Sequence, residues 1–311
     1  MIVIGGEALV DLVPDAGTPG GELGPLHPRL GGGPYNVAIA LGRLQVPTAF
    51  YAKLSTDQFG EKLVDRLVES GVRTDLVQRG PEPTTLAVVG LSEDGSARYV
   101  FHTAETAARL VADSGPLPDE VTAVSFGTLG MVLEPSATVY EQALFREAAR
   151  GRFVALDPNI RADLITDPDA YRERFESWLP SVHLLKLSVE DAEWLAGGQD
   201  LDAALRRWQQ AGPAGVVLTR GADGISVLVG DGAPVEVAGV RAEVADTIGA
   251  GDTVHAALLA WLHRNGALSP EALRALTPEQ WREGLGFAAR AAAITVSRPG
   301  AEPPTAAELD R

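Results

Sequence analysis

Short apolar segments alternate with longer amphipathic segments along most of the chain, and this alternation constrains the fold more than any other feature. The apolar segments are typical of buried strands and comprise Ile2–Ile4, Ala49–Ala52, Val121–Phe126, Phe153–Leu156, Val182–Leu185 and Gly215–Leu218. The amphipathic segments indicate helices and comprise Asn36–Leu44, Gly60–Ser70, Ser136–Arg150, Asp169–Leu179, Val189–Leu195 and Leu201–Ala211. The pattern predicts an α/β fold with helices on both faces of a mostly parallel sheet, where ligands bind at the carboxyl ends of the strands.

Two predicted β-hairpins interrupt the alternation. Each has an Asp-Gly pair, a strong turn signal, between its strands. They consist of Leu86–Leu91 with Ala97–Phe101, and of Ile225–Val229 with Val235–Val237. The first hairpin, together with Leu12–Pro28, is interpreted either as a small β flap or as an antiparallel extension of the sheet edge. The open edge of a flap needs cover, so a homodimer that pairs flap against flap is predicted; the alternative is a monomer whose flap folds down on the cleft.

Charge and composition exclude several classes of function. The 26 basic and 42 acidic residues give a net charge of −16, which argues against binding to nucleic acid and to anionic membranes. A small phosphorylated ligand is not excluded, because local donors in a closed cleft outweigh a distant field. The chain has no Cys, so disulfides, thiol catalysis and Cys-based zinc sites are excluded. No signal peptide or membrane span is apparent, and a soluble cytoplasmic protein is expected.

The sharpest motif is a Gly-rich turn that opens into an apolar helix, and it runs from Asp246 to Thr253. The small residues at 249–251 allow backbone N–H groups to face an anion at the helix N-terminus. Asp252 would repel a bound phosphate, but it suits a base that takes a proton from a hydroxyl attacking a phosphoryl group. The alternative interpretation is an N-cap Asp with glycines for a tight turn.

A second glycine-rich segment, Gly31–Asn36, leads into another apolar helix. It is not a dinucleotide fingerprint, because Asn36 occupies the third glycine position and no clear strand precedes Gly31. Its glycines allow close approach to a ligand, whereas the alternative is a flexible loop with an Asn near the helix start. No P-loop, zinc-protease or nucleophile-elbow motif is present. His255, isolated on an apolar helix, is interpreted as a core residue.

Taken together, the two motifs resemble the signatures of ribokinase-like (PfkB-type) carbohydrate kinases, closest to the fructokinase branch. They lie about 215 residues apart and in the family order, so the resemblance covers essentially the whole chain. It implies one kinase domain over residues 1–311, a three-layer α/β/α sandwich with a small β-sheet lid from segments near 12–30 and 84–104. It also implies transfer of the γ-phosphoryl group of ATP to a sugar hydroxyl, with Mg²⁺.

The resemblance also implies roles for individual residues. Asp252 matches the catalytic base, and the anion hole matches Gly249, Ala250 and Gly251. The implied sugar-binding residues are Asp11, Gly32, Gly33, Asn36, Asn159 and Arg161. Arg98, on the first hairpin, is a further candidate for sugar contact; the alternative is a solvent-facing strand residue.

On the nucleotide side, the resemblance points to Lys186, Ser188, Thr219, Gly221 and Gly224. The alternative for Lys186 is a surface side chain whose stem lies along apolar residues.

Asp191 stands where the family has Glu, and Glu190 is adjacent, so either carboxylate is a candidate to orient water bound to Mg²⁺. Asp246, Ile248 and Gly300 resemble the family's site for a monovalent cation such as K⁺.

The acceptor sugar is narrowed by a few residues. Gly33 stands where ribose-type kinases carry Lys, and Gly-Gly-x-Pro-x-Asn resembles the fructokinase branch, although Tyr35 departs from its pattern. Arg161 suits a carboxylate, so a 2-keto-3-deoxygluconate kinase is an alternative. Nucleoside and tagatose-phosphate kinases are further alternatives. A non-catalytic sugar sensor that binds its ligand in the same cleft is an alternative of a different class.

Overall fold

The computed structural model describes residues 1–15, 24–91 and 97–309, without the side chains of Leu91, Ala97 and Arg98. Its larger sheet has nine strands in the order β13-β12-β11-β10-β9-β8-β1-β4-β5, and only β12 runs against the others. The strands are β1 Ile2–Gly5, β4 Thr48–Ser55, β5 Val77–Gly80, β8 Ala123–Gly127, β9 Phe153–Asp157, β10 Leu184–Ser188, β11 Gly215–Thr219, β12 Ile225–Leu228 and β13 Val235–Val237. The prediction of a mostly parallel sheet is confirmed.

Helices cover both faces of this sheet and give the predicted three layers. One layer contains α1 Gly33–Arg43, α2 Gln58–Glu69, α7 Ala250–Arg264, α8 Pro270–Ala275, α9 Pro278–Val296 and α10 Ala306–Leu309. The opposite layer contains α3 Ser136–Ala149, α4 Pro168–Trp178, α5 Val189–Ala196 and α6 Leu201–Ala211. Each layer buries its own apolar cluster against the sheet. Among the described residues, none of the helices combines the length and apolarity needed to span a membrane.

A separate four-stranded sheet, the lid, lies beside the carboxyl ends of the larger one. Its order is β3-β2-β6-β7, with β2 Leu9–Pro14, β3 Leu26–Gly31, β6 Thr85–Leu91 and β7 Ala97–His102. Leu9 and Ala87 are buried on the inner face, where they form a small cluster with Leu129 of the main body. The flap interpretation of the first hairpin is therefore confirmed, and the edge-extension alternative is wrong. The predicted turn between β6 and β7 falls in residues 92–96, outside the described residues.

Some elements do not carry the sequence pattern from which strands and helices are predicted. The statement that no strand precedes Gly31 is wrong, because β3 ends at that residue. Its strand signal is weak because β3 is an edge strand that contains Pro28 and is mostly exposed. The strand β5 and the long helix α9 were also not predicted. The N-terminus of α9 has a capping box in which Thr277 and Gln280 bond reciprocally, with Pro278 in the first turn.

Candidate active site

Two cavities adjoin where the lid meets the carboxyl ends of the central strands. The first has a volume of about 300 Å³ and reaches from Asp11 on the lid to Asp252 on α7. The second, of about 660 Å³, extends from Lys186 over the outer ends of β10 and β11. Asn159, Thr247 and Gly251 line both cavities. Such volumes are typical of small-molecule sites, and a ligand in one cavity can meet a ligand in the other at this junction.

Asp252 lies on the wall of the first cavity and is held from one side. Its Oδ2 accepts a hydrogen bond of 2.8 Å from Nδ2 of Asn36, on α1. The helix α7 is capped by Gly249, in the left-handed conformation, and no side chain of the described residues caps it. The alternative that Asp252 is an N-cap residue is therefore wrong. Asp252 occupies the first turn of the helix, and its carboxylate contacts a distant helix rather than its own backbone.

The N-terminus of α7 presents free donors at the junction of the cavities. The N–H of Ala250 bonds to the carbonyl of Thr247 at 3.3 Å. Within the described chain, no acceptor is recorded for the N–H groups of Gly251 and Asp252. These two N–H groups can bind an anion there, with the helix dipole adding to the attraction. Of the three residues predicted for the anion hole, Gly251 contributes a free N–H, and Gly249 supplies the left-handed turn that starts the helix.

Glycine is required at position 33 because neighbouring side chains lie too close to leave room for a Cβ. A Cβ on Gly33 would lie 2.6 Å from Oγ1 of Thr128 and 3.0 Å from Nδ2 of Asn159. It would also lie 3.5 Å from Oδ1 of Asp252, the carboxylate oxygen that Asn36 does not hold. The space before Oδ1 is therefore open only because residue 33 has no side chain. Gly32, Gly33 and Asn36 all line the first cavity, as predicted.

Three carboxyl groups line the first cavity, and burial raises the pKa of each. The pKa of Asp252 rises to about 6, although the bond from Asn36 and the charge of Lys186 oppose the shift. The pKa of Asp11 also rises to about 6. Burial raises the pKa of Glu7 to about 8, so this group is mostly protonated at neutral pH. Asp252 is thus a carboxylate at neutral pH whose environment makes it a stronger base than an ordinary Asp.

Arg161 is the only cation among the described residues that line the first cavity. Its Nη1 donates to the backbone oxygen of Asn159 at 3.0 Å and to Oδ1 of Asn159 at 2.8 Å, so part of the guanidinium is held by its own loop. Nδ2 of Asn159 donates to Oγ1 of Thr128 at 3.3 Å. Asn159 and Thr128 both have positive φ, of 42° and 52°. Backbone strain of this kind often accompanies ligand sites, and here both strained residues face the cavity.

Lys186 is buried at the end of β10 and forms an ion pair behind the site. Its Nζ donates to Oδ2 of Asp157 at 2.8 Å, and both side chains are buried. A Cβ on Gly251 would lie 3.2 Å from this Nζ, so the charge is next to the N-terminus of α7. Burial acts to lower the pKa of Lys186, but the charges of Asp157, Asp191 and Asp252 and the hydrogen bond to Asp157 together outweigh it, and the pKa is raised. The alternative of a surface lysine is therefore wrong.

The second cavity combines polar residues with an apolar wall. Ser188, Thr219 and Gly221 line it, as expected for the nucleotide side. Gly224 does not line it, but its carbonyl accepts the N–H of Arg220 at 2.8 Å and closes the turn. The exposed side chains of Val240 and Val244 also line this cavity. An apolar wall of this kind suits a flat aromatic ring, and the sequence analysis did not predict it.

Two neighbouring carboxylates line the second cavity, and they differ in hydrogen bonding and exposure. The oxygens of Asp191 accept N–H groups from Ile160 at 2.7 Å and from Ser188 at 3.1 Å, so this side chain braces the start of α5. Glu190 is exposed at the cavity. Within the described residues, no group of three or more His, Asp or Glu side chains could hold a metal ion. Mg²⁺ usually keeps several waters and binds one or two carboxylates with substrate phosphates, and this pair fits that mode.

The residues predicted for a monovalent cation lie together beside a third cavity of about 90 Å³. Oδ1 of Asp246 accepts the N–H of Ile248 at 3.0 Å, and Oδ2 accepts the N–H of Gly300 at 2.8 Å. Asp246 therefore ties the segment before α7 to the segment after α9. Whether this loop holds a cation stays a prediction.

The sequence analysis missed several residues that line the first cavity. One predicted residue, Arg98, cannot be tested. Arg98 belongs to β7, but its side chain lies outside what the structure describes. The residues that were missed are Glu7, Leu9, Tyr99, Phe101, Thr128 and Leu129. Glu7 carried a usable signal, because it is a carboxyl group directly after an apolar strand and a glycine. The aromatic residues carried none, since their alternation on β7 is that of any half-buried strand.

Comparison with known proteins agrees with this arrangement. A fructokinase of Rhizobium leguminosarum bv. trifolii is 38% identical over 286 residues, which cover 91% of this chain and 86% of that protein. Fructokinase-2 of Zea mays is 30% identical over 311 residues, covering 97% of this chain and 90% of that protein. A crystal structure of fructokinase with bound ATP from Xylella fastidiosa superposes with a TM-score of 0.89 at 27% identity, covering 99% of this chain and 96% of the other. The model of the pfkB family carbohydrate kinases matches residues 1–307, and the chain belongs to that family.

Proposed function

We propose that this protein is an ATP-dependent sugar kinase whose acceptor is fructose. The observation that carries the proposal is the position of Asp252, with one carboxylate oxygen open to the first cavity beside the free N–H groups of α7. Membership of the pfkB family and the fructokinases among its relatives support both the activity and the acceptor. Residues 1–311 act as one kinase domain, with the lid over the sugar.

In this reaction the sugar occupies the first cavity and ATP the second. Oδ1 of Asp252 takes the proton of the attacking hydroxyl as the new O–P bond forms. The bond between the γ-phosphorus and its bridging oxygen breaks, and ADP leaves with the electron pair. The N–H groups of Gly251 and Asp252 stabilise the transferred phosphoryl group, and the charge of Lys186 lies next to them. Phosphoryl transfer depends mainly on such alignment and charge neutralisation.

The residues of the first cavity favour a neutral acceptor over an anionic one. A keto-acid or a phosphosugar would add a further negative charge near Asp11 and Asp252, with Arg161 as the only described cation to pair with it. One nitrogen of Arg161 already bonds to Asn159. A neutral sugar instead offers hydroxyl donors to the carboxylates and acceptors to protonated Glu7, and each of these hydrogen bonds is charge-assisted or buried.

The nucleotide is held by Lys186, Ser188 and the turn from Thr219 to Gly224, and its base lies against Val240 and Val244. Glu190 and Asp191 orient the waters of Mg²⁺, which supplies neutralisation of the phosphate charge when bound. Asp246, Ile248 and Gly300 hold K⁺ beside the anion hole. The support for this ion is that Asp246 hydrogen-bonds to both Ile248 and Gly300, which brings the two segments that carry these residues together.

The lid also forms a homodimer in this proposal. Four side chains form a ladder across its outer face, because Pro28 pairs with Leu12, Leu12 with Val88, and Val88 with Val100. Val100 is 53% exposed, which is unusual for an apolar strand residue. A second copy of the lid would cover this ladder and the strand edge.

The test of the function is an ADP-release assay with Mg·ATP and a panel of sugars, with and without K⁺. The panel contains fructose, 2-keto-3-deoxygluconate, ribose, adenosine, glucose and tagatose-6-phosphate. We expect the highest kcat/KM with fructose. Preference for the keto-acid would mean that Arg161 reads a carboxylate and would overturn the choice of acceptor. Binding of sugar without ADP release, measured by calorimetry, would indicate the sensor alternative and overturn the kinase proposal.

A further inference from the structure

A small cavity lies behind Asp252, on the side away from the sugar. Its volume is about 10 Å³, and its polar lining consists of Ser125, Thr128, Asp157, Asp252 and His255. Gly33, Thr128 and Asp252 lie between it and the first cavity, since all three line both. A cavity of roughly 10–15 Å³ with two to four polar partners can hold one water molecule.

Two buried polar atoms in this lining have no hydrogen-bond partner among the described residues. Asp157 is 6% exposed, and its Oδ2 accepts from Lys186, but its Oδ1 has no hydrogen bond to any described residue. His255 is 1% exposed, and its Nε2 lies 2.8 Å from Oγ of Ser125, while its Nδ1 likewise has no partner in the described chain. Leaving such groups unpaired costs free energy, so their joint presence on one cavity points to a ligand.

We propose that one water molecule occupies this cavity and joins Asp157 and His255 to the buried side of Asp252. When the hydroxyl of Ser125 donates to Nε2 of His255, the ring carries its proton on Nδ1. That N–H donates to the water, whose two hydrogens then bond to Oδ1 of Asp157 and to Asp252. Every polar group of the cavity is satisfied in this arrangement, and the role of His255 as a plain core residue is revised.

Through this water, Asp157 is a positioning residue for the base. It holds the Nζ of Lys186 beside Gly251 with one oxygen and the carboxylate of Asp252, by way of the water, with the other. Asn36 fixes Oδ2 of Asp252 from the side of α1. The base is thus held from two sides, and Oδ1 keeps its direction toward the first cavity. The inference rests on the proposed function only for its catalytic consequence, because the water site stands on geometry alone.

A crystal structure of the whole chain at a resolution of about 1.8 Å tests the water directly. We expect an ordered water within hydrogen-bond distance of Oδ1 of Asp157 and Nδ1 of His255. An empty cavity, or a protein donor on Oδ1 of Asp157, would overturn the proposal. This outcome is independent of the kinase assay, so loss of the proposed function and loss of the water site can be told apart.

Kinetics of Asp157→Asn test the positioning role, with Asp163→Asn as the matched control. Asp163 is an exposed carboxylate six residues further along the chain. We expect Asp157→Asn to lower kcat at least 10-fold with less than 3-fold change in KM for sugar, and Asp163→Asn to change neither. Melting temperatures of both variants check that they are folded. Equal kcat in the two variants would overturn the role.

The pH profile separates positioning from a general loss of structure. The ionisable groups around Asp252 are those of Asp157, Lys186, Arg161, Glu7 and Asp11. The charge of Asp157 raises the pKa of Asp252 and that of Lys186 lowers it. We therefore expect the acid limb of kcat to move to lower pH in Asp157→Asn and to higher pH in Lys186→Met. Acid limbs that stay at the wild-type pH in both variants would contradict the coupling.

Discussion

Nδ2 of Asn36 donates a hydrogen bond of 2.8 Å to Oδ2 of Asp252, across 216 residues of chain. This bond joins the two glycine-rich segments that the sequence places near opposite ends of the protein. It also makes the two carboxylate oxygens of Asp252 different, because one is held by an amide and the other faces the space that Gly33 leaves open. The geometry that makes Asp252 a directed base therefore depends on both segments at once.

Asp252→Asn is expected to lower kcat with fructose at least ~100-fold, because a general base contributes about that much. KM values are expected to change little, since Asn keeps the shape of the side chain. Burial raises the pKa of Asp252 to about 6, so the charged form costs on the order of 3 kcal/mol in the folded state. That cost grows as the pH rises from the pKa of an ordinary Asp to about 6 and is fully present above it, and the variant lacks it. Thermal melts at pH 8 should show the variant at least as stable as wild type, and near wild-type turnover would contradict the role.

The activity is expected to fall as the pH drops through about 6, because protonated Asp252 cannot accept the hydroxyl proton. The pKa of Asp11 is also raised to about 6, so a variant of Asp11 is needed to show which carboxyl group causes the acid limb of the pH profile. Asp11→Asn should weaken sugar binding and keep an acid limb in kcat. The measurement is kcat from pH 4.5 to 9 for both proteins. Loss of the limb in Asp11→Asn would assign it to Asp11 instead.

Glu7→Gln is expected to remove a loss of activity at high pH. Burial raises the pKa of Glu7 to about 8, so the wild-type carboxyl ionises above that pH and adds a charge near Asp252. Glutamine stays neutral and should keep kcat/KM at pH 9. The raised pKa also means that wild type loses stability as the pH rises from that of an ordinary Glu to about 8. Melting temperatures from pH 5 to 9 should therefore fall more in wild type than in Glu7→Gln.

The larger sheet was predictable because buried parallel strands are short apolar runs, and a one-dimensional pattern shows them directly. The strand β3 was not, since exposed edge strands with Pro28 carry no such run. Asp252 and Asn36 were predictable because each stands in a glycine-rich segment at a helix start. Their hydrogen bond was not, because it depends on how α1 packs against α7.

The proposed roles of Asp157 and His255 could not be predicted from the sequence, for a different reason. Both residues are visible in the sequence, but their significance lies in atoms that lack partners, and a missing hydrogen bond has no sequence pattern. Lys186 illustrates the same point, because the sequence around a lysine at a strand end fits an exposed side chain as well as a buried one. Only the fold shows that Asp157 lies beneath it, at the end of the neighbouring strand.

Val100→Asp is expected to convert the proposed dimer to a monomer. The substitution would place a charge at the exposed end of the ladder on the lid, where it cannot be paired across a two-fold axis with its own copy. Sedimentation velocity of wild type and variant measures the change. Val68→Asp is the control, because Val68 is 58% exposed on α2, away from the lid. A monomeric wild type, or an unchanged dimer in Val100→Asp, would contradict the interface.

Gly33→Ala is expected to raise KM for fructose about 10-fold or more with a smaller change in KM for ATP. The added methyl group would lie 2.6 Å from Oγ1 of Thr128 and would intrude on the space before Asp252. Thr128 has a positive φ and bonds to Asn159, so neither neighbour can move without breaking that contact. Gly232→Ala is the matched control, because no atom of the described part of the chain lies within 4 Å of a Cβ there. Steady-state kinetics on both substrates test this prediction. Equal KM values for fructose in the two variants would mean that the sugar does not bind beside Gly33 in the first cavity.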